Sequence, residues 1–154
     1  MGKLLWVICM INNNLKFCRE SLEMTQKELG YVFGVAESTV SGWENNNDIM
    51  PLTKLVKFCD LYGFSLDYVT GLTRSNYSYS KINKLDKIKI GNNLKKIRTN
   101  LKLTQSKIAK ECMISQTTYS NYELGIRLIT TLSLYTLCKN HKLSMDEVIG
   151  KKKM

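Results

Sequence analysis

The chain has 154 residues, 44% of them hydrophobic, with 23 Lys/Arg against 13 Asp/Glu and a formal net charge of +10 at pH 7. The five cysteines form no C-x-x-C pair, and the single histidine, His141, cannot anchor a zinc cluster or a Ser-His-Asp constellation, so a disulfide scaffold, a metal site and a familiar hydrolase are all excluded. A strongly basic balance instead points to a polyanionic partner, either nucleic acid or an anionic membrane surface.

Residues 4–11 form an apolar run far too short to span a bilayer, and no small-residue cleavage site follows it before Asn12. Gly2 does not mark myristoylation, since Trp6 stands where Ser or Thr is required. Residues 1–9 read as a disordered or docking arm, or as an upstream extension of a chain whose natural start is Met10. The cysteines read as reduced, buried thiols of a cytoplasmic protein.

From residue 15 onward the chain repeats itself. Leu15, Arg19, Thr25, Gln26, Ser41, Glu44, Cys59, Ser65, Asp67, Val69 and Gly71 recur 79 positions later as Leu94, Arg98, Thr104, Gln105, Ser120, Glu123, Cys138, Ser144, Asp146, Val148 and Gly150, without a gap. A gap-free repeat of this length means two copies of one small domain. The copies differ in charge: residues 1–72 carry 6 Lys/Arg against 8 Asp/Glu and residues 73–154 carry 17 against 5, so the halves stand at −2 and +12.

Each copy divides into five short helical stretches. Leu15, Cys18 and Leu22 share one face of a first helix near residues 11–21, as Leu94, Ile97 and Leu101 do in the second copy. Thr25 opens a second helix with Glu28 completing a capping box, whereas Thr104 is followed by Lys107. After a break at Gly34-Val35, or Met113-Ile114, a third helix spans residues 39–45 or 118–124. A fourth begins near Pro51, and Ser65 and Ser144 cap a fifth that ends at Gly71 or Gly150. Two helices joined by a short turn inside a small all-α domain make a helix-turn-helix.

The pattern Thr-Gln-x-x-Leu/Ile, a turn, Ser/Thr-x-x-x-x-Trp/Tyr-Glu, and a closing Ser-x-Asp-x-Val-x-Gly resembles the Cro and lambda-repressor (XRE-type) helix-turn-helix family, twice in register. The resemblance implies an all-α fold of two tandem five-helix domains. It also implies that the first-helix arginine pairs with the glutamate ending the third helix, here Arg19 with Glu44 and Arg98 with Glu123. An arginine fork on a partly buried carboxylate ties the two helices together, which makes these four residues structural rather than DNA contacts.

A helix fits the major groove, and its first exposed turns can offer amide and hydroxyl groups to base edges. In the second copy those places hold Gln116, Thr117, Ser120 and Asn121, with Ser115 as N-cap. Gln and Asn can bridge adenine N6 and N7, and the Thr methyl can meet a thymine methyl. Gln105, Arg127, Lys102 and Lys107 are expected at phosphates, fixing register rather than sequence. The first copy offers weaker equivalents: Gln26, Glu37, Ser38 and Ser41, with Gly42 for Asn121, Ala36 for the capping Ser115 and Asp48 for Arg127. Met113 departs from the glycine at the turn, where Gly34 suits it.

The expected organisation is an arm (residues 1–12), domain 1 (13–72), a linker (73–90), domain 2 (91–150) and a flexible basic tail (151–154). A free linker of about 17 residues at up to ~3.3 Å each would span the ~34 Å between successive major grooves. Apolar residues around the fifth helices, among them Phe64, Tyr68, Leu143 and Met145, offer a homodimer contact. These readings converge on a cytoplasmic, non-enzymatic transcription regulator of double-stranded DNA, of the phage or mobile-element repressor kind, with no cofactor, metal or membrane partner. The alternative is a bifunctional inhibitor whose domain 1 binds a protein target, a nuclease or polymerase, while domain 2 autoregulates. RNA binding is a third reading, disfavoured by the lack of an aromatic stacking motif.

Overall fold

Ten helices form among residues 11–154, the part of the chain that the computed structural model describes, and the expectation of an N-terminal arm falls almost wholly outside it. The first copy holds α1 (Leu15–Ser21), α2 (Gln26–Phe33), α3 (Glu37–Glu44), α4 (Leu52–Tyr62) and α5 (Leu66–Val69); the second holds α6 (Lys87–Asn100), α7 (Gln105–Glu111), α8 (Gln116–Glu123), α9 (Thr131–His141) and α10 (Met145–Val148). The fold is all-α, as the periodicity predicts.

Two compact units meet in sequence between Asn76 and Tyr77. In the first, Leu15, Leu29, Val40, Trp43, Phe58 and Leu66 close the core; in the second, Leu94, Ile108, Tyr119, Tyr122, Leu137 and Met145 do so at equivalent places. Capping follows the side chains available. Thr25 and Glu28 form the capping box at α2; Thr104, Ser115 and Ser144 each accept from the backbone of the helix they start. Ala36 leaves α3 without a side-chain cap.

Every described residue with positive φ recurs at the 79-residue offset: Glu23 and Lys102, Gly34 and Met113, Asn46 and Gly125, Gly63 and Lys142, Gly71 and Gly150. Met113 therefore does not alter the turn. It adopts φ 55° against 63° at Gly34, and Ile114 N–H reaches Ala109 O at 3.0 Å as Val35 N–H reaches Gly30 O at 2.9 Å. The non-glycine residue bears the left-handed cost, of order 1–2 kcal/mol.

The first helices differ. α1 starts at Leu15, four residues later than the apolar spacing suggests, because Asn13 turns inward: its Oδ1 accepts from Leu15 N–H at 2.8 Å and its Nδ2 donates to Trp43 O. α6 starts at Lys87, where Asp86 accepts from the Ile88 and Lys89 amides. Gly91, in its second turn, lies so close to α8 that a Cβ there would fall 2.5 Å from the carbonyl oxygens of Tyr122 and Glu123.

The expected linker and tail are also revised. Asn76 caps the first unit, accepting from Ser65 N–H and donating to Gly63 O. Beyond it, Tyr79 and Lys153 form an antiparallel bridge, flanked by Ser80 N–H to Lys152 O at 2.8 Å and Met154 N–H to Ser78 O at 2.9 Å. Lys151 is only 4% exposed, with Nζ 3.8 Å from Asp146, and Lys153 lies over the Tyr77 ring. The C-terminal lysines are thus pinned by neighbouring backbone, and the free 17-residue span is not there. No helix among the described residues is long and apolar enough to cross a membrane.

Candidate nucleic-acid interface

α7 and α8, joined by the Met113 turn, are the helix-turn-helix of the second unit, and α2 and α3 are that of the first. Ser115 fixes the start of α8 by accepting from Thr118 N–H at 3.0 Å. Its leading side chains, Gln116 and Thr117, are exposed, and Ser120 and Asn121, a turn further on, are half-buried. Asn121 also holds the loop that follows, since its carbonyl accepts from Ile126 and Arg127 N–H at 3.0 and 3.2 Å. That loop carries the exposed Arg127, while Lys102 and Lys107 stand exposed at the C-terminal end of α6 and on the first turn of α7.

The opposite face of α8 is anchored by Glu123. Arg98 grips it with a fork, Nε to Oε1 at 2.5 Å and Nη2 to Oε2 at 3.2 Å, and its Nη1 donates to Leu103 O at 3.1 Å. Gln105 adds a third donor, Nε2 to Oε2 at 2.8 Å. The first unit repeats the cluster: Arg19 on Glu44 at 2.5 and 3.2 Å, and Gln26 on Glu44 at 2.8 Å. Burial pushes the Glu123 carboxyl upward, but the Arg98 and Gln105 hydrogen bonds and the Arg98 charge outweigh it and hold it below the usual carboxylate range. Gln105 and Gln26, expected at phosphates, therefore also lock the start of the helix-turn-helix to its end, a link that neither spacing nor periodicity signals.

A groove of about 320 Å³ opens beside this cluster, lined by Ile88, Asn92, Lys95, Arg98, Gln105 and Leu124 together with Glu123. The equivalent face of the first unit is dressed differently. Glu37 and Ser38 are exposed at the head of α3, Ser41 accepts from Asn45 Nδ2 at 3.2 Å, Gly42 presents no side chain, and Asp48 is exposed in the loop. Burial pushes the Cys18 thiol up to about 12 and the Cys112 thiol to about 11. Cys18, Cys59, Cys112 and Cys138 are all buried, and among the described residues no cluster of metal ligands forms.

This architecture is that of a tandem helix-turn-helix protein. The helix-turn-helix family profile matches residues 15–69 and again residues 94–148, and the chain belongs to that family, in its XRE-type form. It is also 36% identical over 64 residues, 42% of its length, to a Bacillus subtilis (strain 168) protein named as an uncharacterized HTH-type transcriptional regulator, YobD. The match spans 57% of that relative.

Proposed function

We propose that the protein is a cytoplasmic repressor, of the phage or mobile-element kind, that occludes a promoter by laying α8 of the second unit in the major groove. The observation that carries this reading is the contrast between α8 and α3 within one fold. Gln116, Thr117, Ser120 and Asn121 offer base-reading groups beside Arg127, whereas α3 has Glu37, Ser38 and Gly42 beside Asp48. The +12 charge of residues 73–154 strengthens attraction to phosphate in the same unit. The first unit keeps the fold and binds DNA weakly.

Selection from a random duplex pool at stated salt, with the full chain, tests it. Gln116→Ala and Asn121→Ala are expected to relax preference by about 1–3 kcal/mol at individual base pairs, and Arg127→Ala to weaken all sequences and flatten the salt slope by about one. Equal loss on selected and random DNA from Asn121→Ala refutes its reading role. Retained selection by a Gln116→Ala/Asn121→Ala chain, lost on substituting Glu37 and Ser38, transfers the role to the first unit.

A further inference from the structure

In each unit the loop that follows the third helix is tied to the segment leading into the first helix, but by different chemistry. The first unit uses side-chain amides. Asn13 Nδ2 donates to Trp43 O and, at 3.1 Å, to Asn46 Oδ1, and Asn46 Nδ2 donates to Ile11 O at 3.2 Å. In the second unit Asn46 is replaced by Gly125, which has no amide to offer, and Asn13 by Asn92, which is exposed.

Extra helix stands in their place. Residues 90–93 are helical where their equivalents, 11–14, are not, and Gly91 lets α6 pass the Tyr122 and Glu123 carbonyls where the first unit has Asn12. Asp86 starts the added turn, accepting from the Ile88 and Lys89 amides at 3.0 Å each. That turn sits on two glycines. A Cβ on Gly125 would fall 2.9 Å from Ile88 Cα and 3.1 Å from Ile88 N, and one on Gly150 would fall 3.0 Å from Lys89 Cε. The approach to Gly125 is made largely by backbone, which leaves the Ile88 side chain exposed. Lys87 Nζ adds a contact to Ile126 O at 3.5 Å. Residues 125–127 are therefore held from two sides: by Asn121 O, which accepts from the Ile126 and Arg127 amides, and by the first turn of α6.

The geometry points to the first turn of α6 as a brace that positions Arg127 for DNA. Asp86, which caps the turn, and Gly125, which admits it, are positioning residues that act through the Arg127 loop. A loop already held in place loses less freedom when its arginine meets a phosphate, so the brace strengthens binding without adding a contact. The first unit, with Asp48 at the equivalent of Arg127, holds its loop but has no cation there to aim. The binding half of this inference rests on Arg127 being a phosphate contact.

Amide hydrogen exchange of the full chain without DNA, paired with DNA affinity over a salt series, tests it. Asp86→Asn keeps a good N-cap and Asp86→Ala loses it, while both drop the same charge, so the difference between them reports the brace. Relative to Asp86→Asn, Asp86→Ala is expected to speed exchange at the Ile126 and Arg127 amides about threefold or more, with the amides of α9 unchanged. It is also expected to weaken binding about threefold on selected and random duplex alike and to flatten the salt slope toward that of Arg127→Ala. On an Arg127→Ala background the two substitutions should bind DNA alike. Gly125→Asn accepts the left-handed backbone, as Asn46 does at φ 58°, yet sets a Cβ against Ile88; it carries the same expectation should α6 form without its cap. Equal exchange in Asp86→Ala and Asp86→Asn, with wild-type exchange in Gly125→Asn, overturns the brace. Faster exchange with an unchanged salt slope, where Arg127→Ala flattens it, overturns the positioning role. An unchanged slope in Arg127→Ala refutes the phosphate contact instead, and the exchange rates still decide the brace.

Discussion

Replacing Arg98 by Met removes the fork from Glu123 and leaves that carboxylate, whose side chain is 3% exposed, with Gln105 as its remaining strong donor. Breaking a buried pair from one side costs about 3–5 kcal/mol, mostly the penalty of an uncompensated buried charge. Gln105 stays in place, and the Arg98 side chain is itself 15% exposed, so about 3 kcal/mol is the expected loss. A unit of this size has about 4–12 kcal/mol in total, at 0.05–0.15 kcal/mol per residue. The second unit has no tryptophan. A urea transition seen by far-UV circular dichroism but absent from tryptophan fluorescence is therefore its own, and that transition is expected to move to much lower urea. Arg98→Met/Glu123→Leu removes both charges and is expected to recover most of the loss. A single-variant loss under about 1 kcal/mol, or a double variant as unstable as the single, refutes the assignment of Glu123 as a carboxylate held by Arg98.

Met113→Gly relieves the left-handed strain at φ 55° but frees the unfolded chain, for a net gain of about 0.5–1 kcal/mol in the same transition; Gly34→Met is expected to cost the first unit a similar amount, read by Trp43 fluorescence. Gly91→Ala places a methyl against the Tyr122 and Glu123 carbonyls and is expected to destabilise the second unit by about 1–3 kcal/mol, with gel-shift affinity falling alongside. Because the folded Glu123 carboxyl titrates below its ordinary value of 4.5, it contributes stability that is fully present above that pH and is lost as pH falls through the folded value. Urea titrations between pH 6 and 3 should show this loss in the second unit, and Glu123→Gln should flatten it.

The repeat, the helices and the helix-turn-helix frame were legible because they rest on local signals: apolar spacing, the Thr25, Thr104, Ser65 and Ser144 caps, and the fixed 79-residue offset. The Arg–Glu pairs were legible through family resemblance. What stayed hidden depends on contacts between distant segments. No periodicity announces that Gln105 donates to Glu123, that Gly91 permits close approach to α8, or that residues 77–80 pair with residues 152–154. Met113 was hard to place for another reason: its intrinsic preference opposes the conformation that the surrounding packing and the Ile114 hydrogen bond impose. The lysines at the end of the chain read as solvated by composition, yet Lys151 finds Asp146, a partner made available only by folding.

The matched left-handed joints make the two units interchangeable parts. Chain direction changes at the same five places in each, three of them under glycine in one copy and Met, Asn or Lys in the other, so a segment cut at two such joints leaves and rejoins its host along the same path. Transplanting residues 114–124 into the place of residues 35–45 should yield a chain with duplicate reading helices. Evolution by exchange between the halves would need only two crossovers.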